Sequence, residues 1–134
     1  KQLRRLNDMK SRTIKVTKVN LIQEIEINFS DYRSLKEAIG GYFETVHTQK
    51  MHDYFKGSMM LLVDEEGHLK NLPSNRLGSF FYDTEQHGWP IAGDIIFAVS
   101  EGPDIVAPKD VDELKRRLLK DFPYLHEVDS EQDI

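Results

Sequence analysis

The stretch from Gly40 to Gly78 constrains the fold most, because it places a continuous apolar run between sharp turn signals. The run is Met59 to Val63, five apolar residues in succession. A strand exposed on one face alternates apolar and polar residues, so this run predicts a central strand buried on both faces. Asp64 to Gly67 reads as a turn with three solvated carboxylates. We therefore expect His68 to Lys70 to return as the second strand of a hairpin.

Three segments combine an N-cap residue with an apolar stripe, which predicts a helix in each. They begin at Ser30-Asp31, at Ser74 or Asn75, and at Asp110, and the first and last of them end at Gly40-Gly41 and Pro123. Apolar and β-branched residues predict the remaining strands at 13–19, 21–29, 42–48, 95–99 and 105–106. Residues 49–57 and 82–90 read as loops. These elements predict an α+β fold, with a mainly antiparallel sheet of about five strands and about three helices packed on it.

Charge divides the chain into an arm, a body and a tail. At 134 residues the chain fits one domain, which we place at 13–126, after a basic arm (1–12) and before an acidic tail predicted to be disordered (127–134). Residues 1–18 carry seven Lys or Arg against one Asp, whereas the rest carries eleven basic and 22 acidic residues. The arm predicts a nucleic-acid contact, an acidic partner, or a contact with its own body. The nucleic-acid candidates are Arg4, Arg5, Lys10 and Arg12.

Composition excludes several kinds of chemistry. The chain has no cysteine, which rules out disulfides, thiolate catalysis and cysteine-ligated zinc, and fits the reducing cytoplasm. No apolar run approaches the roughly 20 residues that span a bilayer, and the start does not read as a signal peptide. We therefore predict no membrane contact. The first residue is Lys1, which predicts a start that was trimmed, processed or cut from something longer.

No spacing of polar residues predicts a catalytic or metal site. His47 and His52 are five residues apart and would share neither a strand face nor a helix face, so we expect no metal and no cofactor. The carboxylates at 64–66 fit an acid/base pair or a cation site less well than a solvated turn. Asp94, after Gly93, fits a turn that caps backbone N–H groups better than a catalytic carboxylate.

Aromatic residues outside the predicted strands are the candidates for contact with a partner. We single out Tyr54, Tyr82, His87 and Trp89. They could stack on single-stranded nucleic acid, but few basic residues lie near them in sequence, so packing within the protein is the competing interpretation. Trp89 stands out because it lies in a Gly-Trp-Pro loop, and aromatic residues in loops often anchor a partner.

Three motifs together resemble a bacterial family of unknown function that is found in phages, plasmids and integrative elements. They are Gly40-Gly41-Tyr42-Phe43-Glu44, then residues 63–75 (Val-Asp-Glu-Glu-Gly-His-Leu-Lys-Asn-Leu-Pro-Ser-Asn), then Ile91-Ala92-Gly93-Asp94-Ile95. The resemblance covers about residues 14–100. Phe43, Asn71 and Ser74 depart from the residues usual there. It implies a small accessory protein of a mobile element in the bacterial cytoplasm, and it implies no reaction.

These observations leave three functions open. The leading one is a non-enzymatic binding protein that contacts an unknown protein or nucleic acid, in an oligomeric state that the sequence does not predict. The second is an inhibitor of host defence that mimics nucleic acid with its acidic body, although the interspersed basic residues count against a continuous negative surface. The third is a small enzyme with a site in the 82–94 loop.

Overall fold

The computed structural model describes residues 9–127, and the structural statements below concern that part of the chain. Its strands are β1 (Ser11–Val16), β2 (Leu21–Ile27), β3 (Phe43–Val46), β4 (Met59–Asp64), β5 (Ile95–Glu101), β6 (Asp104–Val106) and β7 (His126–Glu127). Its helices are α1 (Tyr32–Ile39), α2 (Gln49–Phe55), α3 (Arg76–Tyr82), α4 (Thr84–His87) and α5 (Val111–Asp121).

The strands form one mixed sheet in the order β3-β4-β5-β1-β2-β7, with β6 paired to β5. All pairs are antiparallel except β2 with β7. The α+β class and the mainly antiparallel sheet are confirmed. The predicted counts are too low, since residues 9–127 contain seven strands and five helices. The two apolar runs form β4 and β5 in the interior of the sheet, as their lack of alternation predicts.

Both faces of the sheet are covered, which explains why β4 and β5 are apolar on both sides. One face packs against α2, α3 and α5 through a core that includes Met51, Phe81 and Leu118. The other face packs against α1 through Leu35 and Ile39. Alternate residues of β4 point to opposite faces, so Leu61 and Val63 join the first core while Met60 and Leu62 join the second.

Helices α1, α3 and α5 begin at residues that the capping signals predict. The side chains of Asp31, Asn75 and Asp110 each accept a hydrogen bond from a backbone N–H of the first turn. Gly40 ends α1 in the left-handed conformation, with φ at +95°.

Two segments predicted as loops contain helices. Residues 49–55 form α2, which Thr48 caps by accepting from the N–H of Met51, and residues 84–87 form the short α4. In α2, Met51, Tyr54 and Phe55 share the face toward the core, at the spacing of a helical stripe. The polar residues between them hid that stripe in the sequence.

The predicted hairpin after β4 is wrong. Residues 65–72 form successive turns, closed by backbone hydrogen bonds such as Lys70 to Glu66 (3.0 Å) and Leu72 to Gly67 (3.0 Å). No return strand can pair with β4, because β3 and β5 already occupy its two edges. The solvated tip is also wrong in part, since Asp64 is buried while Glu65 and Glu66 are exposed.

The predicted arm and tail fall partly outside the described residues. Residues 1–8, with Arg4 and Arg5, and residues 128–134 lie there. Of the remainder, Ser11 and Arg12 belong to β1, and Glu127 belongs to β7. Between residues 9 and 127 no helix has the length and apolar character needed to cross a bilayer.

Candidate functional site

Four connecting segments meet at one end of the sheet. They are 17–20, 40–42, 65–75 and 88–94, and we call them together the loop end. The strand register brings them together, because Val16 pairs with Ile95, Val63 pairs with Ile95, and Phe43 pairs with Asp64. In antiparallel pairs the end of one strand lies beside the start of the next. The three motifs that carry the family resemblance therefore converge at this end.

Asn75 fixes the loop end from inside. Its side chain is fully buried, and its Nδ2 donates to the carbonyl oxygens of Val16 (3.0 Å) and Gly93 (2.9 Å). Its Oδ1 accepts from the N–H of Gly78 at 2.9 Å and so caps α3. One amide thus joins the end of β1, the segment before β5 and the start of α3.

A buried carboxylate fixes the segment between β4 and α3. Asp64 accepts from the Lys70 ammonium at 2.8 Å and from the N–H of Glu66 at 2.8 Å. Lys70 also lies 3.3 Å from the carbonyl oxygen of Gly40. A Cβ at Gly41 would come within 2.7 Å of Nζ of Lys70, so this position has no room for a larger residue unless the lysine moves. Close packing against the turn therefore explains Gly41, whereas Gly40 is explained by its left-handed backbone conformation.

The segment before β5 is fixed in the same way. Asp94 accepts from the N–H of Lys18 at 3.0 Å and lies 3.5 Å from the Lys15 ammonium. Gly93 has φ at +91°, a conformation that a residue with a side chain rarely adopts. A Cβ at Gly67 would come within 2.8 Å of the Ala92 carbonyl oxygen. Asp94 therefore has the contacts of the turn residue that the sequence favoured.

Large apolar side chains project into solvent from each of these fixed segments. The exposed fractions are 63% for Val19, 53% for Tyr42, 82% for Leu69 and 69% for Trp89. Burying such side chains against a partner lowers the free energy of the complex. In the free protein they remain in water and add nothing to the stability of the fold. The fixed segments can therefore present apolar groups without having to order them on binding.

Trp89 is held beside the turn that carries Leu69. The His68 ring lies 6.1 Å from the Trp89 ring in an edge-to-face arrangement, and its Nε2 is 2.8 Å from the carbonyl oxygen of Pro90. The next residue after His68 is Leu69. The side chains of Trp89 and His68 are therefore neighbours, and Leu69 extends from the same turn as His68; we call these three residues the Trp89 cluster.

The other predicted partner residues lie in two different environments. The Tyr82 ring stacks on the His87 ring at 4.9 Å, just before Trp89 in the chain, and His87 is bonded to the carbonyl oxygen of Tyr82. Tyr54 instead lies among Phe55, Phe81 and Phe122, and its hydroxyl donates to Asp121 at 2.6 Å. Burial, followed by that hydrogen bond, raises the pKa of Tyr54. Tyr82 and His87 therefore stack on each other just before Trp89 in the chain. Tyr54 instead is half-buried and packs against aromatic residues of the core.

The sequence did not predict that Leu69 and Val19 are exposed. Leu69 was assigned to a strand that does not exist, and Tyr42 to a strand that begins one residue later. The exposure of Leu69 could have been expected from its position in the sequence, because it is an apolar residue between the polar residues His68 and Lys70 of a charged turn.

The predicted nucleic-acid residues within the described part differ in their pairing. Lys10 is exposed, whereas Arg12 is shared by Glu24 and Asp112, each at 2.7 Å. The hydrogen bond to Asp112, followed by that to Glu24, raises the pKa of Arg12. The same bond holds the pKa of Asp112 below its ordinary value. Arg12 therefore ties β1 and β2 to the start of α5, and its charge is already paired.

Residues 9–127 hold no group of three or more His, Asp or Glu side chains arranged to bind a metal ion. Grooves of about 590 and 480 Å³ do occur, and the residues that line them lie outside 82–94.

Comparison with known proteins identifies a family. A family described as "Domain of unknown function (DUF3846)" matches residues 9–119. No curated protein and no solved structure matches the chain. Because the match spans most of the sequence, the chain belongs to this family.

Proposed function

We propose that this member of the DUF3846 family is a non-enzymatic binding protein whose partner is another protein, bound through the Trp89 cluster at the loop end. The observation that carries the proposal is the exposure of Trp89 and Leu69 on segments that buried hydrogen bonds hold in place. Tryptophan is the residue most typical of the energetic centre of a protein interface, and it loses little conformational entropy on binding.

A protein partner fits the charge distribution better than nucleic acid does. Many basic side chains between residues 9 and 127 are already engaged by carboxylates or aromatic rings. Arg12 is paired twice, Lys115 pairs with Glu127, and the Arg117 guanidinium lies 3.9 Å over the Tyr54 ring. A nucleic-acid protein gains its affinity from basic groups that are free to meet phosphates. The same pairing neutralises carboxylates, which argues against an acidic mimic of nucleic acid.

The polar groups that could do chemistry at the loop end have structural partners. Asp94 holds Lys18, Asp64 holds Lys70, and His87 is bonded to backbone carbonyl oxygens. A catalytic acid or base needs to reach a substrate with the group that exchanges the proton. These contacts favour a binding protein over an enzyme with a site at 82–94. The setting in a mobile genetic element and in the bacterial cytoplasm is part of the proposal, and it comes from the motif resemblance.

A photocrosslinking amino acid placed at position 89 tests the proposal in the native bacterium. We expect a covalent adduct with one protein, which then binds the purified chain reversibly. Trp89→Ala with Leu69→Ser should weaken that binding at least tenfold, because the removed side chains would be the buried centre of the interface. Met9→Ala is the matched control: Met9 is also exposed, but it precedes β1 at the opposite end of the sheet.

Fluorescence of Trp89 gives a second readout, because it is the only tryptophan in the chain. We expect emission typical of water-exposed indole in the free protein and a shift to shorter wavelength with the partner. Binding to the partner that persists in the double variant, or an adduct whose partner leaves Trp89 emission unchanged, would refute the proposal.

A further inference from the structure

The loop at the far end of β3 brings together two histidines that the sequence spacing separates. His47 follows β3, and His52 lies within α2, after the N-cap residue Thr48. The two rings lie 6.2 Å apart with an interplanar angle of 81°. Both side chains are exposed. As the spacing predicts, the two residues share neither a strand face nor a helix face, since His47 follows β3 and His52 lies in α2.

The hydrogen bonding of His47 leaves one ring nitrogen free to act as a ligand. Its Nδ1 lies 2.7 Å from the backbone carbonyl oxygen of Met59. A carbonyl can only accept, so Nδ1 carries the proton and Nε2 keeps its lone pair. A ligand histidine is oriented in this way in most metal sites, with its second nitrogen donating to a carbonyl or a carboxylate. The ring of His52 makes no hydrogen bond within residues 9–127, so either of its nitrogens is available.

From this geometry we propose that His47 and His52 form a two-ligand site for a divalent late transition-metal ion that adopts tetragonal coordination, such as Cu²⁺ or Ni²⁺. With metal–nitrogen distances of about 2.0–2.1 Å, rings whose centres lie 6.2 Å apart can share one ion only if the N–metal–N angle is wide, as between the trans positions of a tetragonal site. Imidazole suits these metals, and water completes the coordination. Lys50, the basic residue between the histidines, directs its ammonium away toward Asp83 (3.8 Å) and the Phe80 ring (3.8 Å). Its charge therefore does not occupy the site.

Titration of the purified chain with each metal chloride, followed by calorimetry, tests the site. We expect saturable binding of one ion per chain, with Cu²⁺ bound more tightly than Ni²⁺ or Zn²⁺. His47→Gln and His52→Gln should each weaken binding at least about tenfold, because each removes one of two protein ligands. His126→Gln is the matched control, since His126 is exposed and lies in β7 at the other end of the sheet.

Paramagnetic broadening of the wild-type amide resonances by Cu²⁺ locates the ion without any substitution. We expect the broadening to centre on residues 47–52. Absence of saturable binding at millimolar metal, broadening centred elsewhere, or equal loss of affinity in the His126 control would overturn the proposal. Because the site lies away from the Trp89 cluster, its failure would leave the proposed protein contact unaffected.

Discussion

Asn75 is a polar residue whose side chain is completely enclosed, and every hydrogen-bonding group of its amide is used. The two donors meet carbonyl oxygens of Val16 and Gly93, and the acceptor meets the N–H of Gly78. Aspartate would lack the two donors, and an apolar residue would lack all three groups. This explains why an asparagine follows the Leu-Pro-Ser sequence before α3, where capping alone would accept several residue types.

Replacing Asn75 should therefore cost more than the loss of a helix cap. In Asn75→Ala two buried carbonyl oxygens and one N–H lose their partners, and we expect a loss of about 2–4 kcal/mol in the free energy of unfolding. Urea denaturation followed by circular dichroism measures it. Gln86→Ala, on an exposed residue of α4, serves as the control and should stay within about 0.5 kcal/mol of the wild type. A loss below about 1 kcal/mol for Asn75→Ala would show that this network is not a main support of the fold.

At the scale of elements, signals within a short stretch of sequence correctly predicted the helices and strands whose formation depends on that stretch alone. Caps predicted α1, α3 and α5 because a cap bond forms between residues that are near in sequence. The apolar runs predicted β4 and β5 because burial on both faces removes alternation. The return strand at 68–70 failed because strand pairing is not local: the edge it needed is occupied by β5, more than 20 residues further along the chain.

The residues of the candidate site show the same difference between features that depend on local sequence and features that depend on distant residues. The exposure of Trp89 could be expected from its Gly-Trp-Pro loop, because that local sequence forms neither a strand nor a helix. Tyr54 could not be placed, since its environment depends on Phe81 and Phe122, which α3 and the end of α5 bring from other parts of the chain. The pairing of His47 with His52 was also hidden, because it depends on the turn between β3 and α2.

The end of α1 gives a prediction about backbone conformation alone. Gly40 has φ at +95°, yet a Cβ there would meet no atom within 4 Å. Gly40→Ala should therefore lower the free energy of unfolding by about 1 kcal/mol through conformational strain and not through a clash. Gly57→Ala is a matched control, because Gly57 also has open space around it and its φ lies outside the left-handed region. Thermal denaturation of both variants measures the difference. Equal stability would contradict the left-handed end of α1.

The attachment of α5 gives a prediction about pH. Its Asp112 pairs with Arg12 of β1, and the hydrogen bond lowers the pKa of Asp112 below the ordinary value of 3.8. A carboxyl group with a lowered folded-state pKa contributes stability above its unfolded pKa and loses that contribution as the pH falls through the folded value. Asp112→Asn should therefore melt at a lower temperature than the wild type at pH 7.

That difference should shrink as the pH falls below 3.8, and it should vanish once the pH is below the folded-state pKa, where the wild-type carboxyl has also taken up its proton. Melting curves at several pH values measure it. Since Asp112 is exposed, we expect a small effect that high salt reduces. A difference that stays constant down to pH 2 would show that charge does not cause it. Asp53→Asn provides the control, because Asp53 is also exposed and bonds only Gln49 within its own helix.

At the scale of the whole molecule, the net charge of −5 says less about which class of partner the protein can bind than the pairing of individual charged side chains does. The acidic excess excludes little by itself, because a protein can combine a negative total with a basic surface. The contacts of Arg12 and Lys115 are more informative, since each joins a basic group to a carboxylate on a different strand or helix. Binding a phosphate at these positions would require breaking a contact that holds two elements together. We therefore expect the described part of the chain, residues 9–127, to bind nucleic acid poorly even where its sequence is basic.

This pairing predicts how the chain responds to nucleic acids. We expect residues 9–134, without the first eight residues, to bind labelled single- and double-stranded DNA and RNA only weakly, with little dependence on salt. Each phosphate contact contributes a slope of about −0.9 to log K against log salt for duplex DNA, so a slope between zero and about −0.9 means that less than one contact forms. Removing residues 1–8 breaks none of the contacts described above. Fluorescence anisotropy over a salt series, with residues 1–134 in parallel, measures both slopes.

A steep slope for residues 9–134 would show that the paired basic groups open to meet phosphates, and it would contradict a protein partner as the main ligand. A steep slope for residues 1–134 alone would assign phosphate contact to the segment with Arg4 and Arg5, and would leave the Trp89 cluster free for a protein.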